Sequence, residues 1–460
     1  MAQRFDAIVV GAGQAGPSLA ERLGQSGRKV AVIERKLVGG TCVNTGCIPT
    51  KAMVASAYVA QQARRASSYG VHTGDVRVDM EAVWQRTQGI SGQSRSNVEK
   101  WLHGMPNVSL LRGHAAFESP RTLRVGDALI EADEFFLNVG GRAVVPDFPG
   151  IDSVPYLTNT SILQLRELPK HLVIVGGSYI GLEFGQMFRR FGAQVSIVER
   201  SERLLPKEDP DVSAAVVDIL EREGIELHLA AECIELHGQA GEISIAARCA
   251  KPSLQVHGTH LLLAVGRRPN TDALGLDKAG VATDEHGYIT VDDQCRTSAD
   301  RIWAMGECNG KGAFTHTAYN DYEIVAANVL DGEPRRISDR ILAYGLFIDP
   351  PLGRIGLTEQ EARKKGYDVL VGVRPMTRVG RAVERGETLG FMKVIVDGKS
   401  EQLLGAAILG VSGDEAIHSL LDVMYAKARY QTVTHAVHIH PTVSELLPTT
   451  LQSLAPSQAG

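Results

Sequence analysis

An α/β architecture of several domains is predicted by three observations. First, the apolar run at residues 5–10 enters the glycine-rich turn Gly11-Ala12-Gly13-Gln14-Ala15-Gly16, passes through a helical pattern, and is followed by a second apolar run at 30–33. Second, the arrangement recurs: residues 171–175 lead into Gly176-Gly177-Ser178-Tyr179-Ile180-Gly181 and onward to a run at 195–198. Glu34 closes the first unit and Glu199 the second, each 23 positions beyond its first glycine. Third, 460 residues are too many for one hydrophobic core and suit about three domains.

Each unit carries the strand, turn, helix and acid of a dinucleotide fingerprint in order. Gly11 makes the tight turn, Gly13 lets the backbone approach a pyrophosphate, Gly16 lets helix and strand pack, and Glu34 can accept from a ribose. Leu19, Ala20 and Leu23 mark the buried side of the helix between them. In the second unit Gly176 and Gly181 keep their places, Glu199 is the acid, and Ser178 stands where glycine would admit a pyrophosphate most closely. Two units imply two dinucleotides in one chain.

Cys42 and Cys47 lie in Gly40-Thr41-Cys42-Val43-Asn44-Thr45-Gly46-Cys47-Ile48-Pro49-Thr50-Lys51. Residues five apart in an ideal helix are separated by roughly 8 Å, whereas a disulfide needs α-carbons within about 4.4–6.8 Å. A pair that opens and closes must therefore straddle a turn entering a helix, with Gly46 supplying backbone freedom and Pro49 suiting the first helical turn. Cys47 then faces a helix N-terminus, which favours a thiolate. Spacing alone equally allows two buried structural thiols.

Composition narrows the class. Hydrophobic residues make up 44% and charged residues 22%, with a formal net charge of −5, so a globular chain without a basic face for nucleic acid is expected. No apolar run approaches bilayer-spanning length, so no membrane partner and a cytoplasmic location are expected. Six cysteines in so long a chain are not a secreted disulfide framework. Cys233, Cys249, Cys295 and Cys308 are scattered, and no metal-ligand spacing is present.

Together with Gly140-Gly141, Gly266-Arg267-Arg268-Pro269-Asn270, Ile302-Trp303-Ala304-Met305-Gly306-Glu307 and His438-Ile439-His440-Pro441-Thr442-Val443-Ser444-Glu445, these motifs resemble the flavin-dependent pyridine nucleotide–disulfide oxidoreductases. That family includes dihydrolipoyl dehydrogenase, glutathione reductase and mercuric reductase. The resemblance implies two Rossmann-like domains and a C-terminal α+β dimerisation domain: residues 1–150 and 275–340 for FAD, 151–274 for NAD(P), and 341–460 for the interface. FAD would contact Gly11, Gly13, Gly16, Glu34, Gly40, Thr41, Lys51, Gly140 and Glu307, the last standing where the family has aspartate. NAD(P)H would contact Gly176, Gly181, Glu199 and Gly266. Glu199 favours NADH over NADPH, although Arg200 and Arg203 could swing toward a 2′-phosphate.

The resemblance also assigns roles. Cys47 would touch the flavin and Cys42 exchange with substrate, while Lys51 pairs with Glu183 beside the flavin. His440, polarised by Glu445, would move protons at the disulfide of the other subunit, which implies a homodimer. His440 and Glu445 favour a dihydrolipoyl-dehydrogenase-like reaction on a small disulfide. The run Phe347-Ile348-Asp349-Pro350-Pro351-Leu352 instead resembles mercuric reductases and copper(II)-reducing relatives induced by reactive chlorine. Residues 454–460 lack the C-terminal cysteine pair of mercuric reductases, so efficient mercury handling is not expected. Direct quinone reduction or oxidase chemistry at the flavin, and a redox-inactive scaffold, are the remaining alternatives.

The region 79–103 is expected to form helices, 392–396 and 406–409 to form strands, and 415–426 to be helical.

Overall fold

The computed structural model describes residues 3–249 and 254–456; the side chains of Arg248 and Cys249 and residues 457–460 of the tail lie outside the described part. A parallel sheet grows from the first glycine-rich unit. Strand Gln3–Val10 pairs with Val30–Glu34 on one side and Ala128–Leu137 on the other, with Val108–Arg112 and Ile302–Ala304 outside them. Val10 is in register with Ile33 and with Leu137, which is in register with Ala304. Gly11, Glu34, Asn138 and Met305 therefore leave the sheet side by side, at the carboxyl ends where parallel sheets bind ligands.

Helix Ala15–Gln25 covers this sheet by burying Leu19, Ala20 and Leu23 completely, against Val9 and Val32. The polar region beginning at Asp79 forms one helix rather than several, Met80–Gly104, whose first turn is capped where the Asp79 carboxylate accepts from Ala82 N at 3.0 Å.

The second unit repeats the plan. Glu226–His228, Gln194–Val198, His171–Val175 and His260–Leu263 form a parallel sheet in that order. A three-stranded antiparallel sheet packs over it through Ile243, Ile245 and Val256 against Val173, Val175 and Leu261.

The C-terminal segment is a six-stranded antiparallel sheet in which Phe391–Asp397 and Leu403–Leu409 are central. Both contain the expected strands and are almost wholly buried. The expected helix at 415–426 is divided into Gly413–Ala416 and His418–Tyr425. Among the described residues no helix is long and apolar enough to cross a membrane.

Candidate active site

Cys42 lies in the short helix Gly40–Asn44 and Cys47 opens helix Cys47–Arg65. Between them Thr45 and Gly46 leave helical geometry at φ −145° and −142°, and Asn159 Nδ2 holds the Thr45 carbonyl at 2.9 Å. Both cysteines are free thiols, and their titrations are tied to each other. The neighbouring Cys42 thiol is the main reason the Cys47 pKa falls to about 6, with the Thr315 hydroxyl and the Lys51 charge adding to it against the cost of desolvation. The same neighbour effect, followed by burial, drives Cys42 far above the usual thiol range. Cys47 is therefore the more acidic thiol of the two. Thr315 Oγ1 lies 3.1 Å from Cys47 Sγ and starts helix Thr315–Ala326, so two helix N-termini meet at one sulfur.

Lys51 lies one turn along from Cys47. Its Nζ donates to Glu183 Oε2 at 2.6 Å and sits 4.5 Å above the Phe347 ring. Phe347 N in turn donates to Glu183 Oε1 at 3.0 Å. The pair joins the first and second units, and the C-terminal segment touches both partners.

A cleft of about 480 Å³ runs from Gly11, Gly13 and Glu34 past Gly40 and Gly140 to Thr41 and Cys42. Gly11 has φ +104°, and a β-carbon there would stand 2.2 Å from the Asn138 carbonyl oxygen, so only glycine fits. The Asn138 side chain is almost buried; it accepts from Gly16 N at 3.2 Å and donates to Met305 O at 3.0 Å, tying the first turn to the strand that returns near residue 302. Glu34 closes the turn by accepting from Ala12 N and Lys36 N at 3.0 and 2.7 Å. Farther along, Glu307 forms a bidentate ion pair with Arg267, at 2.5 and 2.8 Å. Glu307 thus lines the cleft with both oxygens engaged by a cation.

The second turn is built alike. A β-carbon on Gly181 would meet the Gly176 carbonyl oxygen at 2.0 Å, and Glu199 accepts from Gly177 N and Ser201 N at 2.5 and 2.7 Å. Ser178 precedes helix Tyr179–Phe191 without a side-chain capping bond. Gly266 follows the last parallel strand and leads into the Arg267–Pro269 strand. Arg200 is exposed, and Arg203 donates to Pro206 O at 3.0 Å.

His440 Nδ1 is 2.8 Å from Glu445 Oε2, with the imidazole 80% exposed and the carboxylate 16%. The preceding residues Val437 and Ile439 are 100% and 80% exposed, so this loop presents both an imidazole and apolar side chains outward. The structure does not bring His440 to Cys42 within the chain; it brings together Cys42, Cys47 and Lys51 with Glu183, and sets His440 with Glu445 apart. Asn138, Thr315 and the pairing of Arg267 with Glu307 were not singled out from sequence, and Phe347 was noted only as part of a family-like run. For Asn138 and Arg267, their places beside Gly140 and Gly266 could have pointed to them.

The pyridine nucleotide-disulphide oxidoreductase pattern matches residues 5–321, and the dimerisation domain of the same family matches 342–451. The chain belongs to the pyridine nucleotide-disulphide oxidoreductase family. It is 37% identical to the probable pyridine nucleotide-disulfide oxidoreductase RclA of Escherichia coli K12, over 96% of this chain and 98% of that protein. It is 34% identical to a mercuric reductase of Staphylococcus aureus, over 90% of this chain and 76% of the relative. Dihydrolipoyl dehydrogenase of Halobacterium salinarum is 35% identical over 96% and 94%. The solved Cu(II) complex of HOCl-induced flavoprotein disulfide reductase RclA from Escherichia coli superposes with a TM-score of 0.89 over 98% of this chain and 99% of that one, at 35% identity. The fold is therefore that of the flavoprotein disulfide reductases, and the chain is an FAD- and NAD(P)H-dependent oxidoreductase with a dimerisation domain.

Proposed function

We propose that this oxidoreductase is an NADH-dependent disulfide reductase of the cytoplasm that acts as a homodimer. The observation that carries the reading is a pair of free cysteines, Cys42 lining the end of the cleft and Cys47 opening the next helix with its sulfur 3.1 Å from Thr315 Oγ1. The residues present fit FAD: the cleft is of ligand size, and a β-carbon at Gly13 would meet Asn138 Oδ1 at 2.9 Å, marking a face kept free of side chains. Gly11, Gly13, Gly16, Glu34, Gly40 and Thr41 would hold its adenosine and pyrophosphate, with Lys51, Gly140 and Glu307 toward its redox end. Gly176, Gly181, Glu199 and Gly266 would hold the nicotinamide nucleotide. When bound there, FAD would supply two-electron transfer between NADH and the cysteine pair.

The chain's own groups do the rest. His440 from the second copy takes the Cys42 proton, and Cys42 sulfur attacks one sulfur of the substrate disulfide. The departing thiolate takes that proton back from the imidazole, which Glu445 orients through Nδ1. Cys47, as the thiolate, attacks Cys42 and releases the second substrate sulfur as a thiolate that takes its proton from solvent, leaving the Cys42–Cys47 disulfide to be reduced again. Lys51, paired with Glu183, supplies positive charge beside the centre.

Reduction of a thiophilic metal ion is the second reading, favoured by full-length similarity to RclA, one solved structure of which is a Cu(II) complex, and by similarity to mercuric reductase. Here the two sulfurs would bind the cation as substrate. NADH consumption with lipoamide, glutathione disulfide, quinones, Cu(II) and Hg(II) separates the readings. Disulfide turnover lost in both Cys42→Ser and Cys47→Ser supports the proposal; quinone turnover surviving in the double variant, with no disulfide turnover in the wild type, overturns it.

A further inference from the structure

We infer that Phe347 is a positioning residue that holds the Lys51 ammonium group in place beside the redox centre, an inference that rests on the proposed role of the Lys51–Glu183 pair. The segment carrying Phe347 is fastened to one face of helix Tyr179–Phe191. Phe347 N donates to Glu183 Oε1 at 3.0 Å, Asp349 N donates to Gln186 Oε1 at 2.7 Å, Gln186 Nε2 donates to Asp349 O at 2.8 Å, and Arg190 pairs with the Asp349 carboxylate at 2.7 Å. Residues 183, 186 and 190 follow the i, i+3, i+7 spacing of a single helix face. The whole stretch is locked by polar contacts before the ring is considered.

The ring then has a distinct destination. Its neighbours Leu346 and Ile348 are 1% and 2% exposed and belong to the hydrophobic core, whereas Phe347 lies outside that core and is only half-buried. Phe347 follows the end of the strand Ala343–Leu346 and projects toward Lys51, with the ammonium 4.5 Å from the ring centroid. An ammonium over an aromatic face is attracted by the ring quadrupole. The Lys51 side chain keeps 34% of its surface exposed, and an ion pair at such exposure fixes a long flexible side chain poorly. One residue therefore acts on both partners: its backbone N–H orients Glu183 and its ring orients Lys51.

The test uses the holoenzyme with Phe347→Leu and Phe347→Tyr, each in wild-type and Lys51→Met backgrounds. The midpoint potential of the bound cofactor, the stopped-flow hydride step from NADH and the thermal unfolding midpoint are measured together. With the ring gone the ammonium is less fixed, so Phe347→Leu shifts the potential to more negative values and slows the hydride step about 3- to 10-fold. Phe347→Tyr keeps both near wild type, and Phe347→Leu adds nothing in the Lys51→Met background. A Phe347→Leu variant that loses thermal stability with an unchanged potential, or that shows the same shift without Lys51, overturns the inference while the pair's role stands. If Lys51→Met itself leaves potential and hydride step unchanged, the role of the pair falls, and this inference with it.

Discussion

Glu34 and Glu199 perform one task twice: each carboxylate accepts one backbone N–H from the glycine turn before it and one from the loop after it. Glu199 is therefore held in the pose of Glu34, which favours a ribose with free hydroxyls, and a fixed carboxylate repels a 2′-phosphate. NADH is expected to exceed NADPH in kcat/KM by at least about tenfold, one charge-assisted hydrogen bond's worth. Glu199→Gln should lower the NADH value and raise that for NADPH. A wild-type preference for NADPH would refute this, and Arg200→Ala with Arg203→Ala would then show whether those cations were responsible.

The Cys47 thiolate sets a pH dependence with a definite sign. Its pKa is depressed to about 6, so the thiolate is present above that pH and lost as pH falls through it, while Cys42 remains protonated. Partly reduced holoenzyme should show the long-wavelength absorbance of a thiolate beside oxidised flavin, growing as pH rises through about 6. Cys47→Ser should abolish the band. Thr315→Val removes a hydroxyl 3.1 Å from the sulfur and should move the midpoint upward by about half to one unit, as the loss of one hydrogen bond to the charged form does.

The fold class was legible because glycine positions in a strand–turn–helix unit are dictated by backbone clashes, as at Gly11 and Gly181, and such constraints are written at fixed spacing. The bend between Cys42 and Cys47 was legible for the same kind of reason, since two geometric limits leave one solution. Partnerships across the fold were not. Asn138 reaches Gly16 and Met305, and Thr315 reaches Cys47, but asparagine and threonine have many ordinary uses and no spacing marks these. Glu307 was visible as a departure from aspartate, yet its engagement by Arg267 depends on how the strand Arg267–Pro269 lies against Gly141–Ala143, which no local pattern states.

That ion pair makes its own prediction. Arg267 and Glu307 keep only 14% and 12% of their side-chain surface, and removing one partner leaves a cation poorly solvated in the cleft. Glu307→Gln should cost about 2–3 kcal/mol, somewhat less than the loss in a fully buried pair, seen as a lower unfolding midpoint and faster release of FAD. Glu307→Asp should be milder, because the charge remains although its reach shortens. An unchanged midpoint in Glu307→Gln would show that solvent already screens the pair.

His440 and Glu445 lie 2.8 Å apart on an outward-facing loop, and their chemistry is separable from that of the first cleft. If the imidazole moves the Cys42 proton, His440→Gln should slow the step between reduced enzyme and disulfide by about 10²–10⁴-fold, the usual weight of a positioned acid–base group. The hydride step from NADH should be nearly untouched, which distinguishes proton transfer from damage to the fold. Glu445→Gln should lose less, since it orients the ring and does not carry the proton. Metal-ion reduction creates no thiolate leaving group, so it should depend on His440 less than disulfide reduction does. The sharing between copies has its own readout. Cys42→Ser and His440→Gln homodimers, each inactive on disulfide, should regain about a quarter of wild-type sites when subunits are exchanged at random in a two-fold dimer. No recovery on exchange, with hybrid dimers demonstrated, would mean that His440 does not act across the interface; an unimpaired disulfide step in His440→Gln would remove the acid–base role altogether.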